Sequence, residues 1–171
     1  MMNEREVISL TYKLYQKMLE ESYPLKRLNG VKISRARSFF GKCTFLQEFG
    51  FREVNITITK MTMVGGYDEV KNTILHELCH ACCEVGDGHG AKWKLYARKV
   101  SREFNTNITI TGEETEAERK YLDDTTKYRV VCDTCGYVYK YQNRTKFIRQ
   151  VELNGGKGYR CHCGGKHFHI G

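Results

Sequence analysis

Between Glu4 and Glu20 the apolar positions return every three or four residues. Val7, Leu10, Leu14 and Met18, widened by Thr11, Tyr15 and Leu19, make one stripe, which predicts an amphipathic helix. The only proline, Pro24, marks a breaker region with Ser22, Asn29 and Gly30. The period then changes to two. In "VNITITK", Val54 to Lys60, β-branched residues alternate with polar ones, as in a half-buried strand. Val31 to Phe40 and Cys43 to Phe49 precede it, punctuated by Gly41 and Gly50, so a small antiparallel or mixed sheet is expected. After Gly65-Gly66 a helix is predicted from an Asp68 N-cap to about Val85, where glycines 86, 88 and 90 stop it. A second helix, Ala91 to Phe104, carries Trp93, Tyr96, Ala97, Val100 and Phe104 at helical spacing.

Beyond residue 112, "TGEETEAERKYLDDTT" is acidic and turn-rich around a possible helical turn, and it reads as a linker. Short strands and cysteine pairs follow. The expected organisation is a domain over 1–112, a linker over 113–127 and a module over 128–171, within an α+β class. A length of 171 residues suits one ordinary domain plus a small module.

Charge sharpens this division. The net charge is +8, yet from Thr125 onward nine Lys or Arg face only Asp133 and Glu152, giving +7 and leaving +1 for everything before. A compact basic module points to a polyanion, with nucleic acid first. Hydrophobic residues at 40% and charged ones at 28% suit a folded soluble protein. The start, "MMNEREVISL", has no apolar run behind a basic end, and no stretch approaches a bilayer span. A cytoplasmic location is expected, or a nuclear one if the source has a nucleus, with no membrane partner.

Without an export signal, eight cysteines point to metal binding and burial rather than disulfides. Cys79, Cys82 and Cys83 sit within a predicted helix and read as core. Cys132-Asp-Thr-Cys135-Gly136 has the spacing of a zinc knuckle, and Cys161-His-Cys163-Gly164 is a tighter return pair. Together they predict a four-thiolate structural zinc with a hairpin between, in the manner of a zinc ribbon. His162, His167 and His169 are possible substitutes for Cys163. Between the knuckles Tyr139, Lys140, Tyr141, Arg144 and Lys146 are nucleic-acid candidates, because aromatic rings stack on unpaired bases while cations meet phosphates. The tyrosines could equally cover the module's small core.

The sharpest chemistry lies in "TILHELCHACCEVGDGHGAKWK". His76 and His80, four apart on a helix, project from one face and can share a zinc ion. Glu77 beside them can take a proton from a zinc-bound water, which is the division of labour in the H-E-x-x-H pattern. A third ligand could be His89, nine residues past His80 across the glycine turn, or Glu103 on the following helix. Spacing leaves both open, though imidazole is the commoner metal ligand.

These residues resemble the SprT-like (Spartan) metalloprotease family. His76, Glu77, His80 and His89-Gly90 match its motif, and Trp93 stands where an aromatic is expected. Arg37, Gly41 and Cys43 in "ISRARSFFGKCTF", and the paired cysteine knuckles, extend the resemblance over most of the chain. The loop between His80 and His89 is shorter than in many relatives.

The resemblance favours His89 over Glu103. It implies a zincin-like fold with an active-site helix, and a zinc metalloendopeptidase acting on DNA-associated or DNA-crosslinked proteins. Its partners would be protein substrates and DNA, single-stranded for preference. Two zinc ions are expected, one catalytic on His76, His80 and His89, and one structural on Cys132, Cys135, Cys161 and Cys163. The alternative is a nucleic-acid-binding zinc protein whose first metal site does no chemistry.

Overall fold

The computed structural model describes residues 2–171. The chain divides into two compact units, Met1–Arg119 and Lys120–Gly171.

The first unit opens with helix α1 (Glu4–Glu20) on the predicted stripe. Asn3 caps it, its side chain accepting from the Glu6 amide while Glu6 reaches back to the Asn3 amide, which satisfies two of the otherwise unpaired first-turn donors. Strands β1 (Arg27–Ser34), β2 (Gly41–Phe45) and β3 (Glu53–Thr59) follow. They form one mixed sheet in the order β1-β3-β2, parallel between β1 and β3 and antiparallel between β2 and β3. The central strand, β3, buries Val54, Ile56 and Ile58. Strand β2 is left at an edge of the sheet.

A one-turn helix α2 (Lys60–Val64) leads into α3 (Tyr67–Ala81), which is the hub of the unit. It packs against α1, β2, β3 and the next helix, α4 (Ala91–Glu103). Val70, Ile74, Leu75, Leu78 and Cys79 of α3 meet Val7, Leu14 and Met18 of α1, Ile56 and Ile58 of β3, and Trp93 and Val100 of α4 in one core. Cys82 and Cys83 are buried there as well.

Two boundaries differ from expectation. Helix α3 begins after Gly66, so Asp68 lies in its first turn, where the carboxylate suits the positive end of the helix. The helix also ends at Ala81 rather than near Val85, because the chain leaves it early to turn back. A further helix, α5 (Glu116–Asp124), occupies part of the stretch read as a linker.

The second unit is built from β4 (Tyr128–Cys132), β5 (Val138–Tyr141), α6 (Lys146–Asn154) and β6 (Phe168–Ile170). The strands pair antiparallel in the order β5-β4-β6 over a core of Val130, Cys132, Ile148, Val151, Cys161 and Phe168. The simple hairpin expected between the cysteine pairs is therefore corrected. A β4–β5 hairpin holds the first pair at its turn, but α6 fills the interval to the second. Thr145 caps α6, accepting from the Ile148 amide, and Ile148 and Val151 face inward one turn apart. Among the described residues no helix is long and apolar enough to cross a membrane.

Candidate functional site

Helix α3 carries His76, Glu77 and His80 one turn from its C-terminal end. The chain then reverses through Cys82–Gly90 and returns His89 to the same place. Gly86 and Gly88 take φ values of +93° and +50°, which L side chains rarely adopt. Gly90 has an ordinary φ, and its need for glycine is steric: a Cβ there would stand 2.8 Å from the Asp87 carbonyl oxygen. Asp87 also closes the loop by accepting from the Glu84 amide at 2.8 Å.

The result is a convergence of three imidazoles. His89 Nε2 lies 3.0 Å from His76 Nε2 and 3.1 Å from His80 Nε2. A tetrahedral zinc with bonds of about 2.0–2.1 Å would set its ligand nitrogens roughly 3.3 Å apart, so the group can hold a metal ion and fits zinc. Neutral imidazole is the form a metal needs. Burial lowers His76 to about 4, helped by His89 and opposed by the Thr109 carbonyl, and burial lowers His80 to about 4 with help from His76 and His89. His89 is also lowered, again mainly by burial.

Two neighbours fix the rings. The Thr109 carbonyl oxygen lies 3.0 Å from His76 Nδ1, so Nδ1 carries the proton and Nε2 faces the cluster. Trp93, only 1% exposed, lies under all three rings with centroids 4.8, 5.5 and 4.5 Å from those of His76, His80 and His89. Glu103 is elsewhere: it accepts from the Tyr23 hydroxyl and pairs with Lys99 at 3.8 Å.

Glu77, 6% exposed, faces the edge strand β2. Burial pushes its carboxyl up to about 7, while the Cys43 backbone N–H donates to it and holds it down. The strand comes this close because Gly41 has no side chain. A Cβ on Gly41 would stand 2.9 Å from Glu77 Oε1 and 2.6 Å from Thr73 Cγ2. Sequence reasoning took Gly41 as punctuation and as part of the family resemblance, without placing it against Glu77. The Cys43 and Thr109 contacts use backbone atoms, for which no residue type is a signal.

In the second unit the four cysteine sulfurs gather. Cys132 and Cys163 are 3.7 Å apart, as are Cys135 and Cys161. Tetrahedral zinc with Zn–S bonds of about 2.3 Å requires roughly 3.8 Å, so this group also fits zinc. The Tyr139 hydroxyl donates to Cys161 Sγ at 3.1 Å and brings that thiol down to about 6, toward the thiolate a metal requires. Of the histidines considered as substitutes, His162 and His169 have other neighbours, and His162 Nδ1 also lies 3.5 Å from Cys161 Sγ. His162 stacks edge-on against Tyr137, and His169 pairs with Asp133 at 2.6 Å.

The nucleic-acid candidates are not one open face. Tyr139 and Tyr141 are half buried and pack with Phe147 against the core. Lys140 pairs with Asp123, and Arg144 with Glu152 at 2.6 Å. Lys146 is exposed at the start of α6, and Tyr137, at 50% exposure, is the open aromatic of the hairpin.

The family model of SprT-like proteins matches residues 8–112, more than half of the chain. A segment of 39 residues is 46% identical to human germ cell nuclear acidic protein, over 20% of this chain and 6% of that protein. The chain thus spans a small part of that relative's length.

Proposed function

Since the chain belongs to the SprT-like family, we propose that it is a zinc-dependent endopeptidase acting on proteins associated with, or crosslinked to, DNA. The observation that carries the hydrolytic reading is the meeting of three Nε2 atoms beside a buried carboxylate on the same helix. His76, His80 and His89 would hold the catalytic zinc, and Cys132, Cys135, Cys161 and Cys163 would hold a structural one. A zinc ion bound by the histidines would acidify a water and polarise the scissile carbonyl.

The protein's own groups do the rest. Glu77 takes the proton from the attacking water and passes it to the leaving nitrogen, so that the amine departs neutral. Burial raises the proton affinity of this carboxyl in the metal-free protein, the direction a general base requires. The Cys43 amide fixes the orientation of the carboxylate. Thr109 fixes the tautomer of His76, and the Trp93 ring closes the floor beneath the ligands.

The DNA part rests on the formal +7 charge of residues 125–171, which becomes about +5 with four thiolates around one zinc ion. Because the candidate tyrosines belong largely to the module's core, the contact would be mainly electrostatic, through side chains such as Lys146, with Tyr137 available for stacking. The reading is tested by digesting an unfolded protein with and without single-stranded DNA, using wild type and Glu77→Gln. Cleavage that DNA enhances and Glu77→Gln abolishes, at unchanged zinc content, supports it. Cleavage that survives Glu77→Gln refutes the role of Glu77. DNA binding with no cleavage under any condition favours a binding protein with a non-catalytic first site.

A further inference from the structure

Beside the histidine cluster, toward the N-terminal end of α3, lies a cavity of about 190 Å³. His76 and Glu77 form part of its wall, so whatever enters it lies next to the reacting bond. Its apolar sides come from Phe39 and Phe40, ahead of β2, and from Ile108 and Ile110, in the segment that follows α4.

The charge in this cavity has one sign. Glu69 and Glu113 line it together with Glu77, and no lysine or arginine does. Neither Glu69 nor Glu113 forms an ion pair or hydrogen bond among the described residues. Behind Glu69 lies another carboxylate. Glu118 is fully buried; its Oε2 accepts from the Thr115 amide and hydroxyl, and its Oε1 has no partner. A Cβ on Gly65 would stand 2.9 Å from Glu69 Cγ and 3.2 Å from that Oε1, which shows how closely the two acids approach. Burial raises the Glu69 carboxyl, and Glu118 and Asp68 raise it further. A cation beside Glu69 would relieve that repulsion.

We propose that this cavity is the specificity pocket of the endopeptidase, taking a lysine or arginine side chain adjacent to the scissile bond. The aliphatic stem lies along the Phe39, Phe40, Ile108 and Ile110 walls, and the charged head is shared by Glu69 and Glu113. This mirrors how long basic side chains divide between an apolar stem and a polar tip. An acidic side chain would meet like charges and be rejected, and a short one would leave the apolar walls wet.

The pocket rests on the protease reading, and the test separates the two. Cut sites in an unfolded mixed-sequence protein are mapped by mass spectrometry for wild type and for Glu69→Gln/Glu113→Gln. Lysine and arginine are expected at one fixed position adjoining the cut, enriched roughly fivefold, about what 1 kcal/mol of discrimination gives. In the double variant the ratio of kcat/KM for a lysine peptide over its norleucine analogue falls by about the same factor. Cleavage with no basic enrichment at any position, or enrichment that the double variant retains, overturns the pocket and leaves the protease intact. A second readout needs no turnover: in Glu77→Gln the lysine peptide binds more tightly than the norleucine peptide by fluorescence anisotropy. Equal binding there overturns the pocket, whereas a lysine preference without cleavage by wild type overturns the protease and keeps the pocket.

Discussion

Gly41 and Glu77 are in such close approach that a single methyl group on the glycine would stand 2.9 Å from the glutamate's carboxylate oxygen. Gly41→Ala must therefore move either the edge strand or the proposed general base. The expected result is a loss of cleavage of about 10²-fold, with zinc content and fold retained, since misplacing a catalytic group by an ångström costs on that order. Zinc analysis and kcat on the same preparation check it. An unimpaired Gly41→Ala enzyme would show that strand β2 yields freely.

The metal-free protein carries opposing pH dependences at one site. His76 and His80, lowered to about 4 from 6.5, contribute stability that is complete above about 6.5 and is lost as pH falls through 4. Glu77, raised to about 7 from 4.5, contributes stability that is complete below about 4.5 and is lost as pH rises through 7. Glu77→Gln should thus stabilise the stripped protein by ~2–3 kcal/mol at pH 8. The same variant should unfold more steeply on acidification, because the histidines then act unopposed. Denaturant titrations across pH 4–8 read both effects.

Removal of metal should divide the molecule. The first unit has a large core of its own, running through α1, α3, α4 and β3, and should stay folded. The second has a core of only six buried residues, two of them cysteines of the cluster, so its folding is expected to depend on the ion. Chelation is expected to abolish amide protection over residues 128–170 while that of α1 and α3 persists, as hydrogen exchange would report. Cys163→Ser should do the same to the second unit alone.

Trp93→Ala removes the floor beneath three imidazoles and a large buried side chain together. A cost of about 3–5 kcal/mol in stability is expected. Trp93→Phe keeps most of the packing and should lose less, which thermal unfolding of the zinc-loaded and stripped forms would compare.

How much of this was legible in the sequence depends on what kind of atom does the work. Helices α1 and α4 and strand β3 lie within a residue of their expected bounds, because each has one buried face and hence a clean period. That His76 and His80 share a face followed from helical spacing, whereas spacing left His89 and Glu103 both open as the third ligand and only the family resemblance favoured His89. The end of α3 was not legible. Gly86 looked like its stop, whereas the return of His89 requires the chain to leave the helix at Ala81. Helix α6 was missed because it is short, with only Phe147, Ile148 and Val151 on its inward face, and the paired cysteines around it suggested strands. The two contacts that orient the site, Cys43 N–H to Glu77 and Thr109 C=O to His76, are made by the backbone. Any residue type could supply them, so only the folded chain discloses them.

The three histidines also differ in how they are held. Two stand on a hydrogen-bonded helix at a separation fixed by its pitch, while the third hangs from a short loop latched by Asp87. Metal exchange at such a centre would be governed by the loop: an ion would leave as His89 moves off, and the helix pair would be left to recapture it. Weakening the latch with Asp87→Ala would shorten the residence time of the ion and leave its rate of arrival nearly unchanged.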